Sequence, residues 1–404
     1  MPEVMTPALN PALPSVVTPG STPASSPEDQ LCLLLARGEL TSEVRSRILD
    51  SLATPLRWPT VMERARSHQV YPLLYRNLRE LGFPGVPEAV QTELKGLFLA
   101  NALRNRLLAE ELSRLLRLLS EAGVRVIPLK GVALAQSLFG DPAARVCADI
   151  DILVPPTDLG HAMDVIFASG YRTEHGDPFF SKLLLRHGRH HDVVRDQLGI
   201  SFHLEVHWNL VQHSSRNEAA VNDLWADARP RDFFGAPAFS LTPEWEFLYL
   251  SIHAADHEWQ CLKWLVDIHQ LASSGVVDWD KTMRKAERFE IDFVLRQTLA
   301  ASSLLFGTPV PAGCLPATLP AGVQLFAHVP LPAGAAESAF SFRHLRVLRR
   351  SLDKLRYLAE VILVPRLTDR DFLRLPPSLG FLYYVIRPPR LAFKWAASVM
   401  RKPG

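Results

Sequence analysis

Cysteine is scarce in this chain, and no two cysteines stand at metal-pair spacing. Cys32, Cys147, Cys261 and Cys314 lie far apart, with no C-x-x-C spacing. That argues against a zinc knuckle or a disulfide scaffold and for a reducing compartment. No charge-free apolar run is long enough to cross a bilayer. No basic segment leads into an apolar one near the start, so no secretory leader is read. The resulting expectation is a cytoplasmic protein. Excess charge is also lacking: a net charge of +2 is too small to argue for nucleic acid by itself. His253 and His257 have the i,i+4 spacing of helix-borne ligands, but no H-E-x-x-H signature and no third ligand accompany them. Acidic residues stop at Asp371, and everything beyond it is neutral or basic.

What is present divides the chain into regions. At 404 residues, about two domains of about 150 residues each are expected. Residues 1–27 are rich in Pro, Ser, Thr and Ala and read as a disordered tail, with too little apolar surface to offset ordering entropy. Residues 28–123 form an N-terminal helical region. Thr41 or Ser42 caps a helix over 42–52, a helix pair spans 58–81, and a long helix spans 90–121. The long helix carries Leu103, Leu107, Leu108, Leu112, Leu115, Leu116 and Leu119 as one stripe, closed by Gly123. Residues 124–240 read as an α/β core, and 241–307 as helical again. A Pro- and Ala-rich loop covers 308–338, and a basic helical region covers 339–404. Within the last, 379–402 mixes Arg and Lys with Phe, Tyr and Trp. It reads as a solvated helix face, or as a contact for an anionic membrane surface or an acidic partner.

The core is organised around Ala148-Asp149-Ile150-Asp151-Ile152-Leu153-Val154. Ile150, Ile152 and Val154 alternate with the other positions, as in a strand. Successive side chains on a strand point to opposite faces, so Asp149 and Asp151 share one face. Two adjacent carboxylates repel unless a cation sits between them. Mg²⁺ is the natural cation, because it takes oxygen ligands from one or two carboxylates and from substrate phosphates.

Two neighbouring stretches add to this pair. Val124–Leu129 reads as a strand, Lys130-Gly131 as a turn, and Val132–Phe139 as a helix whose N-terminal amides face phosphate oxygens. Thr157 caps a helix through Ala168, ended by Gly170. His190–Arg195 and Ile200–Trp208 read as a hairpin turned at Asp196–Gly199. In the second strand Ser201, His203, Glu205 and His207 share the polar face, which brings a third carboxylate towards the first two. Three carboxylates on two strands can build a two-ion site that serves phosphoryl transfer to a hydroxyl. Lys130 supplies a positive charge at the turn or is simply solvated. Arg145 contacts phosphate or pairs with Asp149 or Asp151. His207 supports Glu205 or is a structural histidine.

As an ordered set, these residues resemble the uncharacterised nucleotidyltransferase family of the DNA polymerase β superfamily. The resemblance rests on Leu129-Lys130-Gly131, on Arg145-x-x-x-Asp149-Ile150-Asp151-Ile152-Leu153-Val154, and on Leu204-Glu205-Val206-His207-Trp208. It extends to His253-Ala254-Ala255-Asp256-His257-x-Trp259, to Trp264-Leu265-Val266-Asp267-Ile268, and to Tyr383–Leu391 with Arg387-Pro388. It implies an α+β fold: a small mixed β-sheet flanked by helical N-terminal and C-terminal regions. It also implies transfer of a nucleoside monophosphate from a nucleoside triphosphate such as ATP to a hydroxyl acceptor, with pyrophosphate expelled. Asp149 and Asp151 would bind two Mg²⁺ ions, Glu205 would complete the ion that activates the hydroxyl, and Lys130, Gly131 and Arg145 would bind nucleotide. The superfamily's Gly-Ser pair is here Gly131-Val132. That departure motivates an alternative, a non-catalytic module that binds a nucleotide or a partner. A nucleic-acid-processing enzyme, such as a tRNA-modifying transferase, is a third reading, drawn from the basic C-terminal region.

Overall fold

A five-stranded mixed sheet carries the D-x-D segment, as seen in a computed structural model of the chain. The structure describes residues 26–173, 180, 183, 188–197, 199–210, 216–311, 313–315 and 350–400. Most of the tail expected over 1–27 and most of the loop expected over 308–338 lie outside those residues. Ser26 and Pro27, expected in the tail, instead begin the first helix.

The chain opens with five helices: α1 (Pro27–Leu35), α2 (Ser42–Leu52), α3 (Trp58–Ser67), α4 (Tyr71–Glu80) and α5 (Glu88–Glu121). Thr41 caps α2, its hydroxyl accepting from Val44 N–H. Most of the leucine stripe on α5 is core, with Leu112, Leu115, Leu116 and Leu119 buried. Each such side chain contributes about 1.5–3 kcal/mol by leaving water. Leu103, expected on that stripe, is exposed instead.

The sheet comprises β1 (Ile127–Pro128), β2 (Ile150–Leu153), β3 (Arg172–Thr173), β4 (His190–Gln197) and β5 (Ile200–His207), in the order β1-β2-β5-β4-β3. Strand β2 runs parallel to β5, and the other pairings are antiparallel. The strand expected over Val124–Leu129 shrinks to Ile127–Pro128. Val124 N–H closes the end of α5 on Leu119 O at 2.9 Å, and Val126 O accepts from Phe239 N–H at 2.9 Å. These groups are therefore unavailable to the ladder. Helices α6 (Gly131–Phe139) and α7 (Leu159–Ala168) follow β1 and β2. Thr157 does not cap α7; it lies in a short 3₁₀ turn, Pro156–Asp158, where its hydroxyl donates to Asp158 at 2.9 Å. The hairpin β4–β5 forms with Gly199 at φ +78°, but the turn is shorter than the expected Asp196–Gly199, because Asp196 and Gln197 pair with Ser201 and Ile200.

After the sheet come α8 (Asn217–Asp227) and a two-stranded hairpin, β6 (Arg229–Phe233) and β7 (Ala236–Ser240). Four helices follow: α9 (Pro243–Asp256), α10 (Leu262–Ser273), α11 (Trp279–Arg288) and α12 (Asp292–Phe306). The C-terminal part holds α13 (Ser351–Leu363), α14 (Leu367–Phe372) and α15 (Tyr383–Met400). No helix among the described residues is long and apolar enough to cross a membrane.

Two cores lie on opposite faces of the sheet. Ile150, Ile152, Val193, Leu204 and Val206 pack with the second half of α5 and with α7. Leu153 and Leu129 join the other core, built with α1–α4 and α9–α12. The alternation that sends Ile150 and Ile152 one way sends Asp149 and Asp151 the other, beneath α9 and α10.

Candidate active site

The parallel register of β2 and β5 sets Asp151 opposite Glu205 and Leu153 opposite His207. The antiparallel register of β4 sets Asp192 opposite Glu205 and His190 opposite His207. Asp151, Glu205, His207, His190 and Asp192 thus cover one patch of three strands. Only one of these strands carries the D-x-D.

Two basic residues of the chain occupy this patch. Lys130 Nζ lies 2.8 Å from Asp151 Oδ1, with only 9% of the lysine side chain exposed. His207 Nε2 sits between two carboxylates, 3.3 Å from Asp151 Oδ1 and 3.1 Å from Glu205 Oε2. Burial is the largest single influence on Lys130 and opposes its charge, but Asp151, Tyr249, Glu205 and Asp149 together outweigh it and drive its pKa well up. Burial likewise opposes the His207 imidazolium, and the hydrogen bonds to Asp151 and Glu205 raise its pKa all the same. Glu205 shows the reciprocal effect. Burial favours its neutral form, yet the bond to His207 and the charge of Lys130 hold its pKa at about 2. Asp149 moves the other way: burial and the neighbouring Asp151 push its pKa up, against Lys130 and Lys263.

A carboxylate oxygen of the patch is buried and unmatched. Asp151 Oδ2 has no hydrogen-bond partner among the described residues, although Asp151 is 3% exposed. A buried carboxylate oxygen left without a partner is costly and is a candidate cation ligand. Asp151 and Glu205 are oxygen donors set side by side in register, with one buried oxygen of Asp151 unmatched, and in this they fit a hard divalent ion. Asp149 stands two residues back on the same face, and the three carboxylates do not close to within 4.8 Å of one another.

Gly131 opens α6 directly beside this patch. Its φ is +63°, and a Cβ there would lie 3.3 Å from the carbonyl oxygen of Asp149. The turn is thus pressed against the D-x-D backbone and needs glycine for both reasons. Val132 is fully buried in the core and contributes no hydroxyl to the turn.

Arg145 goes elsewhere than expected. Its guanidinium does not pair with Asp149 or Asp151. Nε lies 3.1 and 3.0 Å from the two carboxylate oxygens of Asp267 on α10, and Nη2 lies 3.0 Å from Asp267 Oδ2. Nη1 faces Cys147 Sγ at 3.8 Å. The guanidinium is turned into the protein, which makes it a scaffold contact in place of the expected phosphate contact. Asn101 and Asn105, one turn apart on α5, hold the same loop by donating to Arg145 O at 3.1 and 2.7 Å.

The roof over the patch comes from α9 and α10. Asp256 forms an ion pair with Arg189, the residue before β4. His257 stacks on Trp264, with ring centroids 4.6 Å apart, and His253 lies edge-on to both. Tyr249 is buried, and its hydroxyl feels Lys130, Asp151 and Glu205. The family stretches around His253–Trp259 and Trp264–Ile268 thereby obtain a place: they roof the carboxylates and bind the Arg145 loop. Sequence reasoning missed His190, Arg189, Asn101 and Asn105, and gave Asp267 no partner. Their roles depend on strand register and on contacts far along the chain.

A family described as uncharacterised nucleotidyltransferase matches residues 54–307, which include every residue of the patch. The chain belongs to that family. Among solved structures, it is similar to an antigenic nucleotidyltransferase-like protein from Paracoccidioides brasiliensis. The match has 14% identity and a TM-score of 0.32, over 52% of this chain and 95% of that one. Among curated proteins no match is found. The family match spans the second half of the N-terminal helices, the sheet and α9–α12. It ends where the C-terminal part has not begun. There, Arg387 and Arg390 of the basic stretch turn inward and share Asp369, each at 2.7 Å.

Proposed function

We infer that this protein is a Mg²⁺-dependent nucleotidyltransferase that moves a nucleoside monophosphate from a nucleoside triphosphate to a hydroxyl acceptor. The observation that carries this reading is the register of Asp151 beside Glu205, with Asp151 Oδ2 left unpartnered in a buried position. Asp149, Asp151 and Glu205 are the residues that would hold the metal. The chemistry supplied by Mg²⁺ when bound is neutralisation of triphosphate charge and acidification of the acceptor hydroxyl.

The chain's own residues do the rest. Lys130 and His207 partly offset the charge of Asp151 and Glu205 in the free protein. Lys130, held on Asp151 in the structure, would be free to meet the phosphates once the carboxylates hold a metal. The N-terminal amides of α6 face the same turn, and with Val132 in place of a serine, the backbone and Lys130 carry phosphate binding. In the transfer, the acceptor oxygen forms a bond to the α-phosphorus. The bond from that phosphorus to the bridging oxygen breaks, pyrophosphate leaves, and the hydroxyl proton passes to solvent.

The test uses the full chain, each α-labelled nucleoside triphosphate, Mg²⁺ and a crude lysate as acceptor pool. Label transfer that disappears in the Asp149→Asn/Asp151→Asn double variant supports the reading. Nucleotide binding without any transfer would replace it with a non-catalytic binding module, to which the missing serine after Gly131 also points.

A further inference from the structure

We propose that the carboxylate patch contains a second, chemically different cation site, formed by His190, Glu205 and His207 and suited to a first-row transition ion such as Zn²⁺ or Co²⁺. It deepens the reading above in that it shares Glu205, but it stands on its own ligands.

One ligand atom from each of these three residues lies within 4.8 Å of the other two. It is the one such grouping among the described residues. His207 Nε2 and Glu205 Oε2 are 3.1 Å apart. A tetrahedral ion with nitrogen and oxygen ligands about 2.1 Å away has ligand–ligand edges of about 3.4 Å, so this pair is already close to one edge. The His190 and His207 rings lie against each other, with centroids 5.0 Å apart.

The orientation of His190 is the second observation. Its Nδ1 is buried and has no hydrogen-bond partner among the described residues. Its Nε2 is directed to Asp192, 3.6 Å from Oδ1. In metal-bound histidines one ring nitrogen is held by a carboxylate while the other is the ligand. Asp192 stands just beyond hydrogen-bond distance of Nε2 and would close on it when Nδ1 binds an ion. Asp192 and Glu205 are register partners, and so are His190 and His207, so one stretch of the β4–β5 hairpin supplies ligands and orienting group together. Asp151 reaches the same cluster through Oδ1, 3.3 Å from His207 Nε2.

Ligand chemistry decides the ion. Mg²⁺ takes oxygen ligands and sheds water reluctantly. Two imidazoles and a carboxylate favour a softer divalent ion. The proton that His207 Nε2 now offers to Glu205 would be replaced by that ion.

The test titrates the metal-free full chain with Co²⁺ in the absence of nucleotide, reading the visible absorption bands and the affinity. We expect saturation near one equivalent. The His190→Ala variant should bind roughly tenfold more weakly or worse, and Asp192→Asn should bind more weakly as well. His190→Gln serves if the alanine variant fails to fold, as judged by circular dichroism without metal. Asp149→Asn, outside the three ligands, should keep the bands. Equal Co²⁺ affinity in wild type and His190 variants, or loss of the bands in Asp149→Asn alone, would overturn the proposal. A His190-dependent Co²⁺ signal in a protein that transfers no label upholds the site and counts against the reaction. Label transfer without a Co²⁺ signal does the reverse.

Discussion

Arg145 and Asp267 form a two-pronged ion pair across 122 residues of sequence, with both side chains at most 5% exposed. The pair ties the loop that leads into the D-x-D strand to helix α10, which roofs the same strand. Removing one partner of a buried pair strands the other charge, at a cost of about 3–5 kcal/mol. Asp267→Ala should therefore lower the stability in urea by about that much. Replacing both residues by apolar side chains of similar size should recover much of the loss. A double replacement as damaging as the single one would show that the pair holds more than charge.

Gly131 is the second pressure point. A side chain in left-handed backbone costs about 1–2 kcal/mol. The Cβ of an alanine would also press on Asp149 O, which moves the D-x-D away from Lys130. Gly131→Ala should lower the thermal midpoint by a few degrees and reduce label transfer by far more than that loss of folded protein explains. Equal reductions in both would remove the turn from the account.

Glu246, on α9, gives the pH prediction. Burial pushes its pKa up to about 7, with Arg231 opposing and Asp267 adding to the shift. The stability that comes from its neutral form is fully present below the unfolded value near 4.5 and is lost as pH rises through about 7. Glu246→Gln stays neutral throughout. The variant should gain on the wild type between pH 5 and pH 8 in urea unfolding, and match it most closely at the acid end. A constant offset across that range would contradict the assignment.

The sequence made the local features legible and left the distant ones dark. The alternation in Asp149–Val154 and in Ile200–Trp208 is a strand signal within a few residues. It placed Asp151 and Glu205 on polar faces, and the structure sets those faces side by side. The hairpin at Gly199 was equally local. Arg145 looked like a partner for the nearby D-x-D because the strand was the only acidic cluster close in sequence. Its true partner follows after another hundred residues and several elements. His190 gave no signal alone, because its meaning comes from the register that lays it against His207. The strand expected from Val124 was cut short because those backbone groups close α5 and meet β7, a choice no window of sequence contains.

Asn105 tests the support beneath the site. Its side chain donates to Pro142 O at 2.6 Å and to Arg145 O at 2.7 Å from a fully buried position on α5. Asn105→Ala leaves two carbonyl oxygens without these donors, a loss of about 1–3 kcal/mol. Chemical denaturation should show that loss, and Asn101→Ala should show a smaller one, since Asn101 holds the same loop less closely. No change in Asn105→Ala would mean that water takes its place at little cost.

The central claim is that Asp151 and Glu205 act as one unit in nucleotidyl transfer. Rates of label transfer for Asp151→Asn, for Glu205→Gln and for the double variant test it most directly. Groups that hold one ion together lose their effect together, so their losses do not multiply. The account predicts that each single variant loses most of the activity and that the double is no slower than the worse single. Full transfer in Glu205→Gln, or losses that multiply in the double variant, would contradict it.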